Sequence, residues 1–160
     1  MGVSWYEAVA YCRWLSEIVG YEVSLPSEAQ WDRAARHTDG RTYPWGSEEV
    51  AATRCNMGET GIGHTSTVGL FPEGNAACGA LDMAGNVWEW WRTKWRGDYE
   101  NYERKAADVL GGEDARLLRG GAFYVDRDSV RCAARGRYVP HSRVRSVGFR
   151  VVTSPFSADR

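Results

Sequence analysis

The chain has 160 residues, of which 43% are hydrophobic and 26% are charged, and its formal net charge at pH 7 is -1. These values are typical of one globular domain with a continuous core, and they give no reason to expect nucleic acid or an anionic membrane as a partner. Eight tryptophans and 18 glycines stand out, and they indicate many turns around an aromatic core.

No apolar run approaches the length of a membrane span, and the first residues lead into an amphipathic helix rather than a signal sequence. We therefore expect a soluble protein with no signal peptide in this chain, in a compartment that the sequence leaves open. The four cysteines, Cys12, Cys55, Cys78 and Cys132, form no Cys-x-x-Cys pair, which argues against a zinc knuckle or a thioredoxin-type motif. Free buried thiols are expected, with disulfides as the alternative.

Two helices are predicted near the start of the chain. Ser4 and Glu7 have the spacing of a capping box, and an apolar stripe follows until Gly20, which predicts a helix over residues 5–19. The same start signal recurs at residues 26–30 and predicts a second, shorter helix that ends near His37.

Loops and short strands are predicted for the remaining chain. Turn-forming residues dominate 39–75, where only 67–71 resembles a strand; such a long irregular region is usually functional or held by a bound ion. The later strands are predicted at 87–91, 117–121, 129–134 and 147–152. A charged insertion over 92–112 has helical character at 100–109. Two helices followed by short antiparallel strands predict a single α+β domain over residues 1–160.

Six motifs, in a fixed order, resemble one known family. They are 2–8 (Gly-Val-Ser-Trp-Tyr-Glu-Ala), 25–31 (Leu-Pro-Ser-Glu-Ala-Gln-Trp), 43–46 (Tyr-Pro-Trp-Gly), 82–90 (Asp-Met-Ala-Gly-Asn-Val-Trp-Glu-Trp), 119–123 (Arg-Gly-Gly-Ala-Phe) and 148–152 (Gly-Phe-Arg-Val-Val). Together they resemble the formylglycine-generating enzyme (sulfatase-modifying factor) family across nearly the whole chain. The resemblance implies a C-type lectin-like fold. Domains of that family usually begin with strands that this chain lacks before its first helix, so it is either a fragment or closes its sheet in another way.

Enzymes of that family oxidise a substrate cysteine with a copper(I) ion held by two cysteines shortly after the Arg-Gly-Gly motif. Val125 stands in the place of the first, and the segment that carries the second is shortened around Asp128 and Ser129. Soft thiolates suit copper(I), and Cys132 alone makes a poor copper site. The three histidines also lack the spacing of a non-haem iron site. We therefore predict that the protein is not an enzyme and requires no cofactor.

Two alternatives remain open. One is a cysteine-oxidising enzyme in which Cys132 forms an atypical copper pair with Cys78 or Cys55. The other is an undiversified scaffold domain of a larger signalling protein.

Some members of the family bind ligands, and the chain resembles one such group, the variable proteins diversified by retroelements. In those proteins adenines of AAC codons are mutated after the Arg-Gly-Gly motif, so every outcome is a codon ending in C. Such codons cannot encode Lys, Met, Trp, Gln or Glu, and none of these occurs from Arg119 to Val152. The resemblance implies a diversified surface that binds a protein or cell-surface ligand. The varied positions would be Phe123, Tyr124, Val125, Asp126, Asp128, Ser129, Gly136, Tyr138, Val139, His141, Ser142, Val144, Arg145 and Ser146.

The residues at these positions suit a binding surface. Tyr124, Tyr138 and His141 offer large contact areas for few frozen torsions, while Ser129 and Ser142 offer small adaptable contacts, a mixture typical of antibody loops. The alternative for the two tyrosines is an ordinary half-buried place in a strand.

A calcium site is a further prediction. Asn86 and Glu89 offer hard oxygen ligands at a glycine–asparagine turn, and members of the family often bind calcium there and in the loop that corresponds to Asn56. In the structural alternative Asn86 caps a turn and Glu89 pairs with a buried arginine, Arg150 or Arg119.

Overall fold

The computed structural model describes residues 1–47, 49–97 and 110–153. The predicted helical stretch 100–109 lies outside the described residues. The elements in chain order are α1 (Trp5–Val19), β1 (Val23–Ser24), α2 (Glu28–Arg36), β2 (Trp88–Lys94), β3 (Arg116–Arg119), β4 (Gly136–Tyr138), β5 (Val147–Gly148) and β6 (Val152–Thr153). Two single-turn 3-10 helices, Gly58–Thr60 and Pro72–Gly74, interrupt the loop between α2 and β2.

Both helices begin where the capping signals predict. Ser4 and Glu7 exchange the reciprocal hydrogen bonds of a capping box. Helix α1 ends at Val19 and is followed by Gly20, whose φ is 78°. Ser27 and Gln30 form the same box at the start of α2. The two predicted helices are confirmed. Within the described residues, neither helix combines the length and the apolar character needed to cross a bilayer.

Four strands form the main sheet in the order β4-β3-β2-β5, and β1 pairs with β6 separately. Strand β3 is antiparallel to both β2 and β4, whereas β5 is parallel to β2. The predicted strand 147–152 is thus divided between β5 and β6, and one pairing differs from the antiparallel arrangement that was expected. The α+β class is confirmed.

The two helices pack on the main sheet through tryptophans. Trp5 of α1 lies in a cluster with Trp90, and Trp31 of α2 lies in a cluster with Trp91, at a ring-centre distance of 5.2 Å. Adjacent residues of a strand point to opposite faces of its sheet. Helices α1 and α2 therefore cover opposite faces.

Residues 67–71 form turns instead of the predicted strand. The amide of Gly69 donates a hydrogen bond to the carboxylate of Asp82 (3.2 Å), and the amide of Ser66 donates to Oδ1 of Asn86 (3.0 Å). Side chains from the 82–90 motif thus occupy backbone groups that a strand ladder would use.

Residues 129–134 also form turns, so a second strand prediction is wrong. The amide of Cys132 donates to the carbonyl of Thr42 (2.9 Å), and the buried guanidinium of Arg119 donates to the carbonyl of Cys132. The strand of this region is β4, which begins two residues after the predicted strand ends.

Candidate functional site

The 82–90 and 119–123 motifs meet at the turn before β2. The amide of Gly85 donates to the carbonyl of Gly120 (2.7 Å), and the amide of Phe123 donates to the carbonyl of Asn86 (3.0 Å). Gly85 has a φ of 77°, and a Cβ there would lie 2.3 Å from the carbonyl oxygen of Asn56. Only glycine fits this position, and the turn fixes the start of the segment that follows the Arg-Gly-Gly motif.

Two of the predicted calcium ligands lie around this turn. Asn86 caps the neighbouring loop, because its Oδ1 accepts from the amide of Ser66 (3.0 Å) and its Nδ2 donates to the carbonyl of Ser66 (3.3 Å). Asn56 is buried, and its Nδ2 donates to the carbonyl of His64 (2.9 Å). Within the described residues, Oδ1 of Asn56 has no hydrogen-bond partner.

The third predicted ligand, Glu89, is held in an ion pair. Arg150 donates to its two carboxylate oxygens at 2.6 and 2.7 Å, and the indole N–H of Trp31 donates to one of them at 3.2 Å. Burial works to lower the pKa of Arg150, but the Glu89 carboxylate outweighs it and the pKa is raised. Arg119, the other predicted partner, pairs with Glu28 instead (2.6 Å). Glu89 therefore forms the ion pair with an arginine that the structural alternative predicted. Calcium binding remains a prediction that depends on Asn56 and nearby carbonyl groups.

Most of the predicted ligand-binding positions reach solvent. The exposed ones are Tyr124, Asp126, Asp128, Tyr138, Val139, His141 and Arg145. The half-buried ones are Val125, Ser129, Gly136, Ser142 and Val144. Phe123 and Ser146 are only 6% and 3% exposed, so placing them on a binding surface was wrong. Both are held beside β2, since the carbonyl of Ser146 accepts from the amide of Trp88 (2.9 Å).

The exposed positions between 124 and 128 are supported by the first 3-10 helix. The amide of Gly58 donates to the carbonyl of Val125 (2.8 Å), and a Cβ on Gly58 would lie 3.2 Å from the carbonyl oxygens of Tyr124 and Val125. The carboxylate of Asp126 accepts from the amide of Ser129 (2.9 Å). Tyr124 is 55% exposed and lies in a turn, so it is not a half-buried strand tyrosine.

The exposed positions between 138 and 145 are anchored at the start of α1. The amide of Trp5 donates to the carbonyl of Pro140 (2.9 Å). Arg143 donates to both carboxylate oxygens of Glu7, at 2.8 and 2.9 Å. Hydrogen bonds from Arg143, and to a lesser extent from Ser4, lower the pKa of Glu7 to about 2. The predicted surface therefore has two parts, each fixed by a different element of the fold.

Two predicted anchors lie in the second part. Tyr138 belongs to β4, is 39% exposed, and packs edge-on against Trp90 at a ring-centre distance of 6.5 Å. This tyrosine thus lies in a strand as the alternative states, and ligand binding by it remains a prediction. His141 lies 3.7 Å from the carboxylate of Glu113, and both side chains are mostly exposed.

The thiols do not fit the copper pair of the family. Cys132 is fully buried against α2, and Cys55 is buried in a separate cluster. Burial raises the pKa of each of these thiols to about 12, whereas copper(I) binds thiolates. Cys78 is exposed, and its Sγ contacts the carbonyl of Ala34 (3.4 Å). Within the described residues, no group of three or more His, Cys, Asp or Glu side chains is placed to hold a metal ion.

Arg137 is also exposed, although it is not one of the positions predicted to bind a ligand. Its guanidinium carbon lies 5.2 Å from the ring centre of Trp95. The alternation of side chains along a strand that contains Tyr138 is a signal for it, because adjacent residues of a strand point to opposite faces.

Residues 1–155 match the model of a family described as "Sulfatase-modifying factor enzyme 1-like domain". The chain is 36% identical over 157 residues to hercynine oxygenase of Mycobacterium tuberculosis. The aligned region covers 93% of this chain and 35% of that protein. The chain is also 37% identical over 176 residues to the formylglycine-generating enzyme of Thermomonospora curvata. That alignment covers 96% of this chain and 54% of that protein. The chain thus spans about half or less of the length of these relatives.

Solved structures share the fold. PvdO from Pseudomonas aeruginosa superposes with a TM-score of 0.83 at 28% identity, over 94% of this chain and 60% of that one. Treponema denticola variable protein 1 superposes with a TM-score of 0.76 at 22% identity, over 94% of this chain and 69% of that one.

These relatives correct one prediction. The expectation that the protein is not an enzyme is contradicted, because the curated relatives are named as enzymes. The burial of Cys132 and Cys55 in separate clusters bears on the copper pair alone, and another relative is named hercynine oxygenase.

Proposed function

Because the chain belongs to the sulfatase-modifying factor enzyme 1-like family, we propose that its exposed side chains between 124 and 145 form a diversified ligand-recognition surface. The observation that carries this proposal is the burial pattern. All the positions that the resemblance nominates as variable, except Phe123 and Ser146, reach solvent. Of the residues that stand between them, Val130, Cys132 and Pro140 are buried, whereas Arg127, Arg131, Ala133, Arg137 and Arg143 are exposed.

The geometry of the two parts favours recognition of a protein or cell-surface ligand. Tyr124 and Tyr138 are large anchors with few torsions, and each packs against an aromatic neighbour, Phe123 and Trp90 respectively. Aromatic anchors of this kind dominate the affinity of many interfaces. The shorter polar residues around them provide adaptable contacts.

A surface can vary only if its backbone is held by groups that do not vary. Here the backbone is held by Gly58, by the turn at Asn86 and by the start of α1, all outside the variable positions. The variable protein of Treponema denticola has the same fold, which supports the proposal that such a framework can carry a diversified surface.

A second candidate function is favoured by the named relatives. In a longer enzyme of the oxygenase or formylglycine-generating type, this domain would contribute substrate recognition through the same surface. The chain covers 35% and 54% of those relatives, so such an activity would belong to the whole protein. A copper pair made of Cys132 with Cys55 would need two thiols, each buried with a pKa of about 12, to become exposed thiolates.

Two matched libraries test the recognition surface. In the first, five exposed positions are randomised with codons that end in C: Tyr124, Asp126, Tyr138, His141 and Arg145. In the second, the same number of buried framework positions is randomised in the same way. We expect most members of the first library to resist proteolysis on a display host, and few members of the second. Equal loss of resistance in both libraries would contradict the proposal.

A second measurement tests the copper-dependent form of the second function. Copper(I) is titrated into the reduced protein against a chromophoric chelator. We expect no uptake that withstands the chelator, whereas tight uptake of one copper ion, lost in a Cys132→Ser variant, would favour the oxidase. Sequences of close relatives provide a third test, since variation confined to the exposed positions is the signature of diversification.

A further inference from the structure

We propose that Arg137 and Trp95 form a binding site for an oxyanion, either a carboxylate or a phosphate group. This inference goes beyond the proposed function, because neither residue belongs to the variable positions. Arg137 is exposed on β4, which is an edge strand of the main sheet. Its guanidinium carbon lies 5.2 Å from the ring centre of Trp95.

The ring of Trp95 is a fixed platform. Its amide donates to the carbonyl of Ala115 (2.8 Å), and its side chain packs half-buried against the cluster around Trp31. Arg135 lies over the same ring at 4.6 Å and also pairs with the buried Glu28 at 3.0 Å. The position of Trp95 is therefore fixed by its backbone and by the packing of its ring, so Arg137 lies over a ring that is held in place.

Arg137 differs from its neighbours in what its N–H groups do. Arg127 and Arg143 each lie close to a carboxylate, at 3.5 and 2.8 Å, and Arg131 pairs with Asp128. Within residues 1–47, 49–97 and 110–153, Arg137 makes no such pair, and its charge is met by the π face of Trp95.

A guanidinium that lies over an aromatic ring can still bind an oxyanion. Attraction to the ring does not use up the N–H donors as an ion pair does, and those donors match two oxygens of a carboxylate or phosphate. Because the ring already limits the orientation of Arg137, a ligand loses less side-chain entropy when it binds.

The test follows the Trp95 ring directly. Protein labelled with 5-fluorotryptophan is titrated with inorganic phosphate or with a capped hexaglutamate peptide, and the fluorine resonance missing from a Trp95→Phe variant identifies Trp95. We expect a saturable shift of that resonance. In Arg137→Gln the affinity should fall at least about ten-fold, as expected when a charge-assisted hydrogen bond is lost.

Two further variants keep the result interpretable. Arg13→Gln removes an exposed arginine of α1 and should leave the affinity unchanged. Arg137→Lys keeps the charge but not the planar fork, and it should bind more weakly than the wild type. Thermal melting establishes that each variant is folded.

The two ligands distinguish the source of the oxyanion. A shift with both, in competition, assigns the site to free and peptide-borne oxyanions alike. A shift with hexaglutamate alone assigns it to an acidic polypeptide. No saturable shift with either, or equal weakening in Arg13→Gln and Arg137→Gln, would overturn the proposal.

Discussion

Arg150 binds both carboxylate oxygens of Glu89, at 2.6 and 2.7 Å, and so joins the last strands to β2. The same guanidinium donates to the carbonyls of Leu81 (3.2 Å) and Asp82 (2.9 Å). One side chain thus closes the turn that carries Asn86 and fixes the register of the sheet beside it.

Replacing Glu89 with Gln should destabilise the fold by about 3–5 kcal/mol, because it leaves a mostly buried guanidinium without its counter-charge. The control is Glu22→Gln at an exposed position, where we expect a change within about 0.5 kcal/mol. Urea unfolding followed by tryptophan fluorescence measures both. A similar midpoint in the two variants would show that the ion pair is not needed.

Replacing Gly85 with Ala should destabilise the protein far more than the same change at Gly79. Both glycines have positive φ, 77° and 84°, but only at Gly85 would the new Cβ meet a backbone atom, at 2.3 Å from the carbonyl oxygen of Asn56. The left-handed backbone alone costs about 1–2 kcal/mol, and the overlap adds about 1–3 kcal/mol at Gly85. Equal unfolding free energies in the two variants would contradict this account of the turn.

The sequence was most informative where the controlling interactions are local. Both capping boxes, and Gly20 at the end of α1, act within one turn of helix, so residue spacing alone predicts them. The strands at 67–71 and 129–134 were predicted wrongly because their backbone groups are taken by Asp82 and Arg119, which are distant in the chain.

Burial at the site depends equally on distant contacts. The resemblance nominates Phe123 and Ser146 as variable, yet their backbone groups pair with Asn86 in the turn before β2 and with Trp88 at the start of β2. The pair of Arg119 with Glu28 joins residues 91 positions apart, and a single sequence carries no local signal for it. Local patterns can nominate a surface, but the fold decides which of its residues face solvent.

The cysteines provide a third prediction. Cys12, Cys55 and Cys132 are buried, and burial raises the pKa of each thiol, to about 11 for Cys12 and about 12 for the others. Thiol–disulfide exchange requires an accessible thiolate, so Ellman's reagent should titrate only the exposed Cys78 rapidly in the native protein. All four thiols should react in guanidinium chloride. Fast native labelling that persists in Cys78→Ser would show that a second thiol is accessible.

The ion pair that links α1 to the 138–145 part of the surface should stabilise the fold at neutral pH and lose this effect in acid. Hydrogen bonds from Arg143, the largest cause, and from Ser4 lower the pKa of Glu7 from 4.5 to about 2 in the folded protein. A carboxylate whose pKa is lower in the folded state contributes stability above its unfolded pKa, and the contribution is lost as pH falls through the folded value.

Glu7→Gln keeps a residue suited to the capping box but removes the charge. The wild type should therefore melt at a higher temperature than Glu7→Gln above about pH 4.5, and the gap should close towards pH 2. Arg143→Gln is the matched partner and should show the same dependence, while a gap that stays constant from pH 6 to pH 2 would mean that the ion pair does not stabilise the folded state.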